Sequence, residues 1–259
     1  MIYIYPIGGL GNMFFHIASI WSLAKDNNDE LCLNNVDKKI YDLDNDDRWD
    51  SKHAEKYRYV FDRLPNKKGS YPILDYPFSF VPIKYQNERQ YCGYFQSERY
   101  FKHRRSEILN LFRPSEEALN KVNEYKDLFE NISLHVRRTD YVKLYPNIHV
   151  PQTTEYYSNA LEKLPKDLKV LVFSDDLKWC KENFIGDRFV FIEEVDYIAI
   201  YLMSKMKHHV IANSSFSWWG AWMSEHQDKT IIAPKVWFGG RKSAFEKNMN
   251  MIPSDWIRI

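Results

Sequence analysis

Residues 131–142 spell NISLHVRRTDYV, an apolar, β-branched run that breaks off at two adjacent arginines, Arg137 and Arg138, with Asp140 two residues beyond. The run has the length and composition of a buried strand. A guanidinium offers planar, bidentate donors to phosphate or carboxylate and keeps its charge at neutral pH. In open α/β sheets ligands lie at the carboxyl ends of strands, which is where the pair falls. The alternative is a pair of surface arginines matched by nearby carboxylates; their place at the end of a buried element, rather than on a helix face, favours anion binding. By two-residue alternation His135 projects to the same side as Arg137, either as a ligand-binding group or as a core histidine.

Three further stretches have chemical potential. In ANSSFSWWGAWMS (212–224), Asn213, Ser214, Ser215 and Ser217 are N-cap types ahead of a helix-like aromatic run. A helix N-terminus presents unpaired amides to an oxyanion, although the same residues serve equally to cap a buried helix whose core side chains are Trp218, Trp219 and Trp222. GGLGNM (8–13) is a glycine-rich turn between a strand and a helix. It lacks the GxGxxG spacing, so a dinucleotide fingerprint is weak. In VFSDDLKW (172–179), Asp175 and Asp176 follow a strand and can cap the next helix or accept from a ribose or base.

These stretches need a scaffold, and the rest of the chain predicts one. Strand-like runs occur at 2–7, 132–136, 169–174, 188–192, 209–213 and 230–234, with helix-like stretches at 12–27, 114–129, 153–164, 176–184 and 196–206. Near-continuous apolar strands alternating with helices predict a doubly wound α/β sheet. Alternation is regular from about residue 130 and ragged before it. Residues 27–105, with the acidic cluster DLDNDDRWD (42–50) and prolines at 65, 72, 77 and 82, read as polar surface or recognition segments. In LFRPSEEA (111–118), Ser115 is the expected cap of a helix. The domain boundary is placed between 113 and 131, giving domains of 1–125 and 126–259.

Composition narrows the function. Lys and Arg total 36 against 35 Asp and Glu, so no global field points to nucleic acid or an anionic membrane. Any anion site must be local. Three scattered cysteines, Cys32, Cys92 and Cys180, offer neither a zinc pattern nor a disulfide framework and fit a reducing compartment. The absence of a leader-like segment and of any run of about 18 apolar residues predicts a cytoplasmic chain with no membrane span.

Taken in order, GGLGN, HVRRTD, FSDD and NSSFSWWGAW resemble the α-1,2-fucosyltransferases of glycosyltransferase family 11, over roughly residues 8–240. More distantly they resemble the α-1,6- and protein O-fucosyltransferases, which share an HxRRxD-like segment. The resemblance implies a GT-B-like fold: two Rossmann-like domains facing a cleft, an acceptor-side N-terminal one and a C-terminal one holding GDP-fucose. It assigns Arg137 to the β-phosphate with Arg138 beside it, and His135 and Asp140 to the same motif. It places Asp175 near the guanosine, with Asn213, Ser214, Ser215 and Phe216 along the diphosphate and sugar, and has Gly11 and Asn12 in a turn that closes over the donor. Where members commonly have GNQMFQYA this chain has GNMFFHIA, so Met13 and His16 replace two glutamines.

The implied reaction is inverting transfer of L-fucose from GDP-fucose to the 2-hydroxyl of a galactose-containing oligosaccharide. Arg137, Arg138 and Asp140 form the expected catalytic set. The Asp-x-Asp spacings in DLDNDD (42–47) have no strand ahead of them and read as a solvated acidic patch; the fixed charge of Arg137 and Arg138, with the amides at Ser214 and Ser215, substitutes for a cation, so no metal or other cofactor is expected. Asp140, hemmed by two cations, is better suited to orient the arginine fork than to take a proton. His16 and His149 are the weaker candidates for a general base. Two other readings stay open: another nucleotide sugar on the same fold, and a silent glycan-binding module whose tyrosine-rich segment 71–101 supplies aromatic platforms.

Overall fold

A computed structural model describes residues 1–34, 61–143, 148–239 and 250–259. The acidic cluster at 42–50 lies outside the described residues. The chain forms two compact units, one of Met1–Ser115 with Asn248–Met251, the other of Glu116–Lys247 with Ile252–Ile259.

The first unit is built on a parallel sheet of β1 (Ile2–Ile4), β2 (Leu31–Leu33), β3 (Ile73–Asp75) and β4 (Gln90–Cys92), in the order β2-β1-β4-β3. Helix α1 (Leu10–Asp26) follows β1 directly. It is free of proline, apolar on most of its circumference, and opens after Gly9 in extended conformation. Lys25 in its last turn complements the helix dipole. Phe14, Phe15, Ile17 and Ile20 are fully buried, and Phe14 stacks on Phe112 at 4.2 Å. Helix α2 (Arg105–Leu111) closes the unit. The ragged segment 27–105 therefore contains three of the four strands of this sheet; each spans only three residues, and β3 is largely exposed.

The second unit carries a six-stranded parallel sheet: β5 (Ile132–Val136), β6 (Val170–Ser174), β7 (Phe189–Phe191), β8 (His208–Val210), β9 (Ile231–Ala233) and β10 (Ile257–Arg258). Its order is β10-β9-β8-β5-β6-β7. Helices α3 (Glu116–Asn123), α4 (Thr139–Lys143), α5 (Thr154–Leu161), α6 (Leu177–Asn183), α7 (Asp196–Lys205) and α8 (Ser215–Trp222) connect the strands. The helix expected over 114–129 is two pieces: α3 begins at Glu116, directly after Ser115, and yields at Asn123, a poor interior helix residue, to a short 3₁₀ turn at Lys126–Leu128.

β5 and most of β6 are fully buried, as strands covered on both faces must be. Ile132, Leu134, Val136, Val170 and Val172 share one core with Tyr156, Tyr157 and Leu161 of α5, Cys180 of α6 and Phe184 just beyond it. Trp218, Trp219 and Trp222 of α8 are buried together, as the capping alternative required. Among the described residues no helix is long and apolar enough to cross a membrane.

Candidate active site

The chain enters the second sheet in its middle, at β5, winds outward through β6 and β7, then returns to the other flank of β5 with β8 and winds out through β9 and β10. Strand order reverses between β5 and β8. At such a switch point the loops leaving the two strands diverge and open a crevice at their carboxyl ends. Arg137 leaves β5 on one side of it, and Asn213 to Phe216 leave β8 on the other.

Parallel pairing of Val136 with Ser174 sets the adjacent residues, Arg137 and Asp175, side by side. Arg137 Nε lies 2.9 Å from Asp140 Oδ1, and a terminal nitrogen lies 3.4 Å from Asp175 Oδ2. Its ring neighbour is Tyr141, 5.8 Å from the guanidinium carbon. Burial works against the charged form, but the carboxylates of Asp175 and Asp140 outweigh it and hold the Arg137 pKa above its ordinary value. The side chain remains partly open, with 35% of it exposed.

Arg138 has different partners. It stacks at 4.0 Å over Trp179, and its Nε sits 3.4 Å from Asp176 Oδ2. Asp176 also accepts the Trp179 N–H at 3.1 Å as the N-cap of α6. Both arginines are thus matched by carboxylates, as the surface alternative supposed, yet they stand at strand ends in the switch-point loops. Asp175 is engaged by protein rather than free for a ribose: it accepts the backbone N–H of Arg138 at 2.9 Å and of Thr139 at 3.1 Å, and the Thr139 hydroxyl.

Across the crevice, Ser214 caps α8, its Oγ accepting the Phe216 N–H at 3.4 Å. The Asn213 amide donates to Val150 O at 3.0 Å and Trp237 O at 2.8 Å, so its nitrogen ties loops together, while its buried Oδ1 has no partner among the described residues. Tyr141 Oη donates to Asn213 O at 2.9 Å and so links the two sides of the switch point. Burial raises the Tyr141 pKa and keeps it a donor. His135 packs its ring 5.5 Å from that of Phe216. It is buried, its pKa is pushed down to about 3 by desolvation with a further contribution from Arg137, and its Nδ1 has no partner among the described residues.

One cluster in the second unit thus gathers His135, Arg137, Arg138, Asp140, Asp175, Asn213, Ser214, Ser215 and Phe216. Gly11 and Asn12 belong to the first unit, in the first turn of α1. Of the two candidate bases, His16 is buried in the first unit, and His149 stacks at 4.4 Å on Tyr141. Tyr141 and Trp179, which hold the arginines in place, were absent from the expected set. Tyr141 was accessible to it as the residue four positions beyond Arg137 on a helix start; nothing in the sequence marked Trp179. Among the described residues no three His, Cys, Asp or Glu side chains group as metal ligands.

The sequence model described as Glycosyl transferase family 11 matches residues 66–259. An alpha-1,2-colitosyltransferase of Escherichia coli is 30% identical, the alignment covering 97% of this chain and 96% of that protein. A galactoside 2-alpha-L-fucosyltransferase of Caenorhabditis elegans is 25% identical over 71% of this chain and 50% of its own length. The crystal structure of the fucosyltransferase NodZ from Bradyrhizobium superposes with a TM-score of 0.50 at 12% identity, covering 85% of this chain and 91% of that one. At that identity the likeness bears on fold alone: α/β with parallel sheets, of the GT-B-like kind.

Proposed function

This chain belongs to glycosyl transferase family 11 and is a glycosyltransferase, and we propose that it moves L-fucose from GDP-β-L-fucose to the 2-hydroxyl of a galactose-containing acceptor, with inversion and without a metal. The observation that carries the reading is a partly exposed arginine, Arg137, set at the β5–β8 switch point opposite the N-terminus of α8. Breaking the bond between the sugar and the diphosphate builds negative charge on the departing phosphate. A fixed guanidinium and a helix N-terminus stabilise that charge as it forms, without reorganising at the moment of reaction.

In this reading Asp140 and Asp175 hold Arg137 in its rotamer. Arg138 fixes the loop by stacking on Trp179. His135, neutral and wedged against Phe216, is a hydrogen-bonding group for the donor rather than a charge. The acceptor hydroxyl attacks the anomeric carbon opposite the diphosphate, which inverts its configuration.

A second reading keeps the site and changes the sugar: the colitosyltransferase relative favours colitose, which lacks the 3-hydroxyl of fucose. The deciding experiment incubates the protein with each GDP-sugar and a galactoside in EDTA and follows GDP release. Turnover of GDP-fucose supports the first reading. Turnover of GDP-colitose alone supports the second, and activity only after a divalent cation is restored overturns the metal-free mechanism.

A further inference from the structure

Register fixes how the two sides of the switch point come apart. Leu134 opposite Val210 is the last rung that joins β5 to β8. Beyond it β5 stays with β6 as far as Val136 opposite Ser174, and the chain after β8 stays with β9, the Ile211 N–H donating to Ile232 O at 2.9 Å. Arg137 and Asn213 each stand three residues past that rung, on loops tied to different flanks of the sheet. The ladder between β5 and β8 therefore does not set their separation. Tyr141 spans the gap. It lies four positions after Arg137, on the same face of α4, with its ring 5.8 Å from the guanidinium carbon. His149 stacks on that ring at 4.4 Å and 14°, and is itself 5.4 Å from the ring of Phe238, so packing holds the phenol plane. The buried hydroxyl donates at 2.9 Å to the carbonyl of Asn213, the residue before the Ser214 cap of α8. The Asn213 amide, bonded to Val150 O and Trp237 O, pins the same residue to two further loops. Residue 213 is thus a fixed point, and the phenol registers α4 against it.

We infer that Tyr141 is a positioning residue for the transfer reaction: its hydroxyl bond to Asn213 O sets Arg137 at its working distance from the N-terminus of α8. This role deepens the proposed function and rests on its assignment of Arg137 to the departing diphosphate. A guanidinium and a helix N-terminus stabilise one developing charge together only when their spacing is fixed before reaction, and a misplacement of about 1 Å can cost about 10²-fold in rate. Asp140 and Asp175 hold Arg137 from its own side of the crevice, at 2.9 Å and 3.4 Å, and say nothing of its distance from α8. The hydroxyl bond supplies that distance. Burial raises the phenol pKa, so the proton that makes the bond stays on Oη through the neutral range.

Tyr141→Phe removes one oxygen and leaves the ring on His149. Activity is followed as GDP release from GDP-fucose and a galactoside, or from GDP-colitose where the wild type turns over that sugar alone. Because the two carboxylates still grip Arg137, we expect kcat to fall about tenfold while the Kd of GDP, measured by calorimetry, changes less than about threefold, the signature of an interaction realised in the transition state. A double-mutant cycle with Arg137→Ala separates positioning from general weakening. If Tyr141 acts through Arg137, Tyr141→Phe costs no further kcat once Arg137 is gone. Wild-type kcat in Tyr141→Phe, an equal loss of kcat and GDP affinity, or a loss that persists in full beside Arg137→Ala overturns the inference. So does a Tyr141→Phe protein that fails to fold, since the hydroxyl is then a strut of the whole unit. The parent reading fails separately, through wild-type activity of Arg137→Ala or through absence of GDP binding to the wild type.

Discussion

Asp175, at the end of β6, accepts the backbone N–H of Thr139, 36 positions away in sequence, at 3.1 Å. Together with the Arg138 N–H it thereby caps α4 from a neighbouring strand and bends the loop that presents Arg137. Removing the carboxylate takes away the acceptor of the Arg138 and Thr139 amides. Both bonds are solvent-exposed, and hydrogen bonds of this kind contribute about 0.5–1.5 kcal/mol each. We expect Asp175→Ala to lower the unfolding free energy of the protein by that order and to cut kcat/KM as the loop presenting Arg137 loosens. Thermal denaturation read beside kcat/KM checks both halves; unchanged stability would show that the loop does not depend on this cap.

The two arginines should separate in their effects. Arg137 faces the switch point with its side chain partly exposed, whereas Arg138 is stacked on Trp179. Removing a preorganised donor to a charge that develops only in the transition state typically costs about 10²–10³ in kcat. We expect Arg137→Ala to lose transfer on this scale with the fold intact. Arg138→Ala should lose less activity but about 1 kcal/mol of stability from the stacked pair. Circular dichroism and steady-state kinetics on both variants suffice. Equal losses of kcat in the two would refute the division.

Where the arginines stand was legible because a fully buried strand announces its own end: ISLHV is apolar or neutral throughout, and the next residue is charged. Five of the six strands of the second unit's sheet were legible as apolar runs; the two-residue, exposed β10 was not. What partners the arginines was not, since the contact between Asp175 and the Arg138–Thr139 amides is made by strand register, and register is a tertiary property. β2, β3 and β4 were missed on different grounds. Three-residue strands such as LCL, ILD and QYC carry too few residues for a period, and β3 is exposed enough that no apolar run marks it.

Acid should destabilise this protein in a definite window. His16, His135 and His209 are buried, and desolvation lowers each pKa to about 3. An unfolded histidine titrates near 6.5. Between those values the unfolded chain binds protons that the native protein refuses, so stability rises with pH there. The contribution of each histidine is complete above about pH 6.5 and declines as pH falls toward 3, by about 1.4 kcal/mol per pH unit where the imbalance is one full proton. His209 lies away from the active-site cluster, its ring 2.8 Å from the Ser133 hydroxyl. Denaturant unfolding at pH 7 and at pH 5 should therefore show a shallower pH slope for His209→Gln than for the wild type. Parallel slopes would mean that His209 is already protonated in the native state.

Gly220 offers a test in which packing and local propensity have opposite signs. In a helix interior, replacing glycine by alanine ordinarily stabilises by about 0.5–1 kcal/mol, because glycine has more backbone freedom to lose. Here α8 crosses α7 at this residue, and an alanine Cβ would lie 2.9 Å from the Met203 Cβ and 3.2 Å from its Cε. The methionine end can swing aside; its Cβ is fixed to the α7 backbone and cannot. The helices must part by some tenths of an ångström, and overpacking of this kind costs about 1–3 kcal/mol. The strain does not stay local, since α8 begins at Ser215 and its N-terminus faces the switch point. We expect Gly220→Ala to lower the melting temperature and weaken GDP binding together. A rise in melting temperature would mean that propensity dominates and that the α7–α8 contact is looser than 2.9 Å implies.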